Sequence, residues 1–163
     1  MKKILALTLS IVLLAAFATA CSQPSQDGGP AVANPIEEVD SADQIMDELD
    51  IFITVPDGAK DVQYSIIDHS VAQVDFVLDG VNYNHRIKKT DQLEDISGVY
   101  TEFETEKDME WVDYPYHIAY NEGGEGVSTW YDELVQASYS VDMESGASEA
   151  ALESVSIALI PAG

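Results

Sequence analysis

Apolar and polar positions alternate along residues 72–87. Ala72, Val74, Phe76 and Leu78 fall on one side of an extended chain, with Gln73 and Asp75 on the other. Asp79-Gly80 is a dipeptide suited to a two-residue hairpin turn, and beyond it Val81, Tyr83, His85 and Ile87 alternate with Asn82, Asn84 and Arg86. Pairing Leu78 with Val81 sets Phe76 opposite Tyr83, Val74 opposite His85 and Ala72 opposite Ile87, all on one face. The other face receives Asp75 beside Asn84. Both halves agree on this register, and a slip of one residue would turn every apolar side chain outward. Residues 62–67 extend the pattern. A three-residue turn, Asp68-His69-Ser70, places Tyr64 opposite Val74 and Ile66 opposite Ala72, whereas a two-residue turn would mix the faces.

Before this meander, Ser41-Ala42-Asp43-Gln44 fits a capping box, and Ala42, Ile45, Met46 and Leu49 follow at helical spacing. They predict a short amphipathic helix. Residues 51–55 read as an apolar strand ended by Pro56-Asp57-Gly58. After a polar break at 90–98, strands are predicted at 99–105, 109–113, 116–120, 127–132 and 135–143, with a glycine-rich loop at 121–126. Leu152, Val155, Leu159 and Ile160 then share one helical stripe over 148–160, stopped by Pro161. The expected fold is α+β: a curved antiparallel meander of about seven to nine strands with a short N-terminal helix and a C-terminal helix.

The first 20 residues stand apart. Lys2-Lys3 precede about fifteen mostly apolar residues from Ile4 to Ala18, and Thr19-Ala20 close the run before Cys21. The run is shorter than the roughly 20 apolar residues of a permanent span, and Thr8 and Ser10 interrupt it. Small residues directly before the only cysteine of the chain resemble the lipobox of bacterial lipoproteins, with Ala18 where leucine is commoner. That resemblance implies cleavage before Cys21 and a diacylglyceryl group on its sulfur. Two acyl chains hold a protein stably where one is marginal. The alternative is an exported chain with one free thiol.

Residues 22–35 hold Ser, Gln, Asp, Gly and Pro with little to bury, and read as a disordered tether reaching about 20 Å. The expected organisation is a signal peptide at 1–20, the lipidated cysteine and tether at 21–35, and one domain at 36–163. The leader carries Lys2 and Lys3 but no acid. The remaining 5 basic residues therefore face 30 acidic ones, a formal −25. Such a charge repels nucleic acid and anionic head groups and excludes both as ligands. Without a second cysteine no disulfide is available, and folding rests on burial.

A second resemblance covers most of the domain. Residues 66–83, Asp95-Ile96-Ser97-Gly98-Val99-Tyr100, and Trp130-Tyr131 with Tyr139-Ser140 look like a group of uncharacterised lipoproteins from Gram-positive bacteria, similar to a domain at the outer ends of membrane-bound regulators. It implies an extracytoplasmic β-rich module and brings no active-site residues.

Candidate chemistry is sparse. His69, His85 and His117 lack zinc-like spacing, and His85 is predicted on the apolar face. Glu102, Glu104 and Glu106, followed by Asp108 and Glu110, are predicted in a row along a strand that can hold divalent cations weakly or simply face water. No nucleophile elbow and no phosphate-binding glycine pattern occurs, and His69-Ser70 lies in a turn. No metal site, cofactor or catalytic residue is therefore expected. Trp111, Tyr114, Tyr116, Tyr120, Trp130 and Tyr131 form either a sugar- or peptide-gripping surface or the core of the curved sheet. Arg86, Lys88 and Lys89 are either a docking spot or partners for acids such as Asp75 across the sheet.

These readings lead to a non-enzymatic binding or sensing module, lipid-anchored through Cys21 on the outer face of the cytoplasmic membrane, with a protein or glycan partner on the envelope. The alternatives are a hydrolase of envelope material and a structural subunit of a membrane complex. Cys21→Ala is expected to move the protein from the membrane pellet to the soluble fraction. Membrane retention of that variant, measured by fractionation and immunoblotting, would remove the anchor.

Overall fold

A computed structural model of the chain describes residues 35–111 and 114–160. The leader, Cys21, the tether up to residue 34, Asp113 and Pro161 lie outside the described residues. The elements in order are β1 (Ile36–Val39), α1 (Ala42–Leu49), β2 (Lys60–Ile67), β3 (Val71–Leu78), β4 (Val81–Lys89), β5 (Thr105–Trp111), β6 (Tyr114–Tyr120), β7 (Gly126–Asp132), β8 (Ala137–Met143) and α2 (Glu149–Leu159). The eight strands form one open antiparallel sheet in the order β1-β2-β3-β4-β8-β7-β6-β5, so the α+β expectation holds.

The meander comes in two halves. After β4 the chain crosses to the far edge, re-enters as β5 and works back until β8 pairs with β4. The predicted register of the first half is the observed one: Leu78 pairs with Val81, Val74 with His85, Ala72 with Ile87, Tyr64 with Val74 and Ile66 with Ala72. Positive φ at Asp79 and Gly80 makes the type I′ turn that matches strand twist. Asp68 and His69, also left-handed, complete the three-residue turn.

Every second strand residue faces a single core. Ile66, Ala72, Val74, Phe76, Ile87, Val141, Trp130, Ile118 and Tyr116 are buried there. Over the β2–β4 half lie α1 and the segment after it, through Ile45, Ile51 and Ile53; over the β6–β8 half lies α2, through Leu152, Val155 and Leu159. Ser41 caps α1 by accepting from the Gln44 amide, while the Gln44 side chain accepts from the Asp40 amide. A buried polar bridge fixes α2: Ser156 Oγ sits 2.8 Å from Ser128 Oγ and 3.2 Å from the Tyr116 hydroxyl.

Three expectations are corrected. Residues 51–55 alternate, with Ile51 and Ile53 buried and Phe52 exposed, but they join no ladder. Period-two burial specifies a side, not a hydrogen-bonding neighbour, and this segment lies on the sheet rather than within it. No strand forms at 99–104, and β5 begins only at Thr105, so Glu102 and Glu104 precede it. β1 was not expected; four residues of which three are exposed carry too little pattern to recognise. The strand predicted at 135–143 starts at Ala137, because residues 133–136 are the hairpin turn, with the Asp132 carboxylate accepting from the Leu134 amide at 2.8 Å.

The crossing segment covers the polar face of the sheet. Ser138 Oγ accepts from the Glu94 amide at 2.9 Å, donates to the Gln92 carbonyl at 3.1 Å and meets Thr90 Oγ1 at 2.8 Å. Arg86 donates to the carbonyls of Ile96 and Ser97, and Lys88 pairs with Glu94. No helix among the described residues is long and apolar enough to cross a membrane.

Gly126 opens β7 where sheet and helix nearly touch. A Cβ there would lie 2.7 Å from Ala147 Cβ and 2.9 Å from Tyr120 Cβ. Gly126→Ala is expected to cost about 1–3 kcal/mol by overpacking. Urea denaturation checks this, and an unchanged midpoint would refute the close packing.

Candidate functional site

On the polar face, at the end of the sheet carrying the β3–β4 turn, lies an open cleft of about 310 Å³. Asp75 from β3, Asn82 and Asn84 from β4 and Asp142 from β8 share this face because β4 lies between β3 and β8, with Asn84 opposite both Asp75 and Asp142. Asp61 and Gln63 reach it from β2, where the register shifts between Lys60 and Gln63 and Asp61 has φ +51°. Glu144 closes the far side, accepting from Asn82 at 2.7 Å. Behind the cleft, on the core face of the same strands, Tyr83 stacks on Phe76 with centroids 5.2 Å apart.

The carboxylates differ in state. Asp75 accepts from Asn84 at 2.6 Å and from Gln73 at 2.9 Å, and Gln73 in turn accepts from Arg86 at 2.8 Å. Asn84 has spent its donor on Asp75, and its Oδ1 is buried without a partner among the described residues. Asp142 receives no hydrogen bond from another side chain there. Burial pushes its carboxyl up to about 7; Arg86 pulls it down, and the charges of Asp75 and Glu144 push it further up.

The histidines do not converge. His69 lies in the β2–β3 turn, and His117 Nδ1 meets the exposed Asp108 carboxylate at 2.8 Å. His85 is fully buried, as its register required. A carbonyl only accepts, so the 2.8 Å contact with the Ser140 carbonyl assigns the proton to Nδ1. Nε2 is then a buried acceptor with no partner. Its ring stacks on Trp130 and Tyr139, whose own centroids are 5.1 Å apart. Burial lowers the imidazole to about 4, against the opposing hydrogen bond to Ser140.

The expected acidic row is broken. Of its members Glu106 and Asp108 alternate on β5, and no group of three His, Cys, Asp or Glu among the described residues is arranged to hold a metal. Four of the six aromatics are buried rather than a gripping surface: Tyr116, Tyr120 and Trp130 in the core, and Tyr131 on the polar face beneath the crossing segment, its hydroxyl donating to the Thr90 carbonyl. The basic cluster is split. Arg86 clamps the crossing segment, Lys88 pairs with Glu94 and Lys89 pairs with Asp50, while amides satisfy Asp75. Of the cleft, the sequence marked only Asp75 and Asn84 as neighbours. Asp142 and Glu144 reach it through β4–β8 pairing between distant segments, which local alternation cannot reveal.

Two buried groups set opposite pH dependences. Depressed His85 contributes stability above pH 6.5 that is lost as pH falls towards 4, on the order of 3 kcal/mol. Raised Asp142 contributes stability below pH 3.8 that is lost as pH rises through 7. Between pH 4 and 6.5 the two oppose, and wild-type stability is expected to be nearly flat. Asp142→Asn removes one of them, so its Tm is expected to rise with pH over that window and to exceed wild type at pH 8. A variant tracking wild type at every pH, by differential scanning calorimetry, would show Asp142 to be solvated. Set against protein-family models, curated proteins and solved structures, the chain matches none of them.

Proposed function

We propose that this chain is a lipid-anchored, extracytoplasmic binding module without catalytic activity, held to the outer face of the cytoplasmic membrane through Cys21. Its cleft takes a hydroxyl-rich, amine-bearing ligand, the chemistry of an amino-sugar segment of an envelope glycan. The observation that carries the reading is the convergence of Asp61, Asp75, Asp142 and Glu144 with Gln63, Asn82 and Asn84 on one face of the sheet. Carboxylates and amides accept from hydroxyl and ammonium groups, and the negative field favours a cation. A net −25 carried by the mature chain would add long-range attraction for such a ligand.

One observation favours a hydrolase as the second reading. Asp142 is pushed up to about 7 while its neighbour Asp75 is held by two amide donors. A carboxyl raised by burial beside a second acid in one cleft is a pairing used in glycoside hydrolysis. Against it, both oxygens of Asp75 are already engaged.

Glucosamine oligomers titrated into the protein are expected to shift the side-chain amide resonances of Asn82 and Asn84. Glu144→Gln should weaken binding roughly tenfold, about 1.4 kcal/mol, and added salt should weaken it further. Neutral N-acetylglucosamine oligomers binding equally well would remove the role of charge. Shortened oligomers detected by mass spectrometry would replace binding with hydrolysis.

A further inference from the structure

The exposed apolar side chains are not scattered. Among the described residues eight large hydrophobics are exposed: Ile36, Met46, Phe52, Leu93, Tyr100, Leu134, Val135 and Ile157. All but Tyr100 and Ile157 gather at one end of the sheet, and it is the end where the chain enters the domain. The Pro35 carbonyl accepts there from the Asp68 amide, and Ile36 pairs with Ile67. Lys89 pairs with Ala137 at the same end, beside the β7–β8 turn that carries Leu134 and Val135. Leu93 is pinned there by the two backbone bonds that Ser138 makes on either side of it. Met46, Phe52 and Val135 line a common apolar groove of about 330 Å³ floored by Ile87 and Tyr139. Leu134 is 90% exposed, Phe52 60% and Val135 53%. The opposite end, with the β3–β4 turn and the β6–β7 loop, holds the acidic cleft instead.

Resting on the anchored reading proposed above, we infer that this apolar end is a membrane-contact surface, seated on the zwitterionic interface of the bilayer that holds Cys21. The occupant follows from the connection. Only residues 22–34 separate the lipidated cysteine from Pro35, and thirteen residues span at most about 45 Å, so the entry end is the part of the domain held nearest the lipid. Side chains so tethered meet the interface at a high effective concentration, and shallow burial of Phe, Leu and Val there is favourable. The lysines at this end are paired, Lys89 with Asp50 and Lys88 with Glu94, and Asp68, Asp91, Asp132 and Glu133 lie in the turns and the connection there. Uncharged head groups suit it, because the acidic chain repels anionic ones. The contact stands the domain upright and turns the acidic cleft away from the membrane.

The experiment uses the lipidated protein in phosphatidylcholine vesicles. An environment-sensitive fluorophore is placed on Leu134→Cys, or on Glu122→Cys in the β6–β7 loop at the opposite end. Position 134 is expected to show a blue-shifted emission that is lost to doxyl-labelled lipid, while position 122 stays water-like and unquenched. Phe52→Ser with Val135→Ser should reduce the quenching at 134 without releasing the protein from vesicles. Vesicle-bound protein with both probes in water overturns the contact and leaves the anchor standing. Protein that does not float with vesicles at all overturns the anchor, and the contact with it. A blue-shifted 134 probe in detergent-free solution of the Cys21→Ala protein would make the surface an interface between copies, which also overturns the contact.

Discussion

Where β4 meets β8, residues 48 to 60 positions apart in sequence pair to form the ladder that joins the two halves of the sheet. On the core side His85, Trp130 and Tyr139 stack across three adjacent strands. That stack requires a neutral imidazole. Burial supplies it by holding the ring down to about 4, and the Ser140 carbonyl orients it by taking the Nδ1 proton. On the other side of the same strands, Arg86 and Ser138 bind the crossing segment. The ladder is thus dry on one face and hydrogen-bonded on the other.

The strand order dictates that covering. Joining β4 to the opposite edge of an eight-stranded sheet takes a long connection, and the apolar face is already occupied by α1 and α2. The chain therefore runs over the polar face, where its own carbonyls and amides need partners. Ser138 and Arg86 supply them. An unstructured connection of this length in a compact domain is uncommon, and here it acts as the third layer, with Ser97, Ser138 and Ser140 buried beneath or within it.

The crossing segment leaves the end with the β3–β4 turn uncovered, and there the polar face becomes the acidic cleft. Apolar side chains gather at the end where the chain enters. The two ends are chemically unlike because each is built from different turns: Asp61, Glu144 and their amide neighbours at one, Leu134, Val135 and Phe52 at the other. A domain carrying −23 over the full chain tolerates a further cluster of acids only where solvent or a ligand reaches them. Asp142, less accessible than its neighbours, is instead pushed towards its neutral form.

Alternation and helical spacing determined the β2–β3–β4 register to the residue, the burial of His85, and both helices, the first with its Ser41 cap. Each rests on contacts between neighbours in the chain, so a slip would have betrayed itself in the local pattern. Apolar character at 51–55 pointed to a strand and misassigned the backbone of that segment, because burial records which side is covered and not what bonds to what. Only the tertiary structure decided that β8 lies against β4, that the crossing segment roofs the polar face, and that Asp142 stands across Asn84 from Asp75. Those are pairings between distant segments, chosen by the closure of one shared core, and no run of adjacent residues contains them.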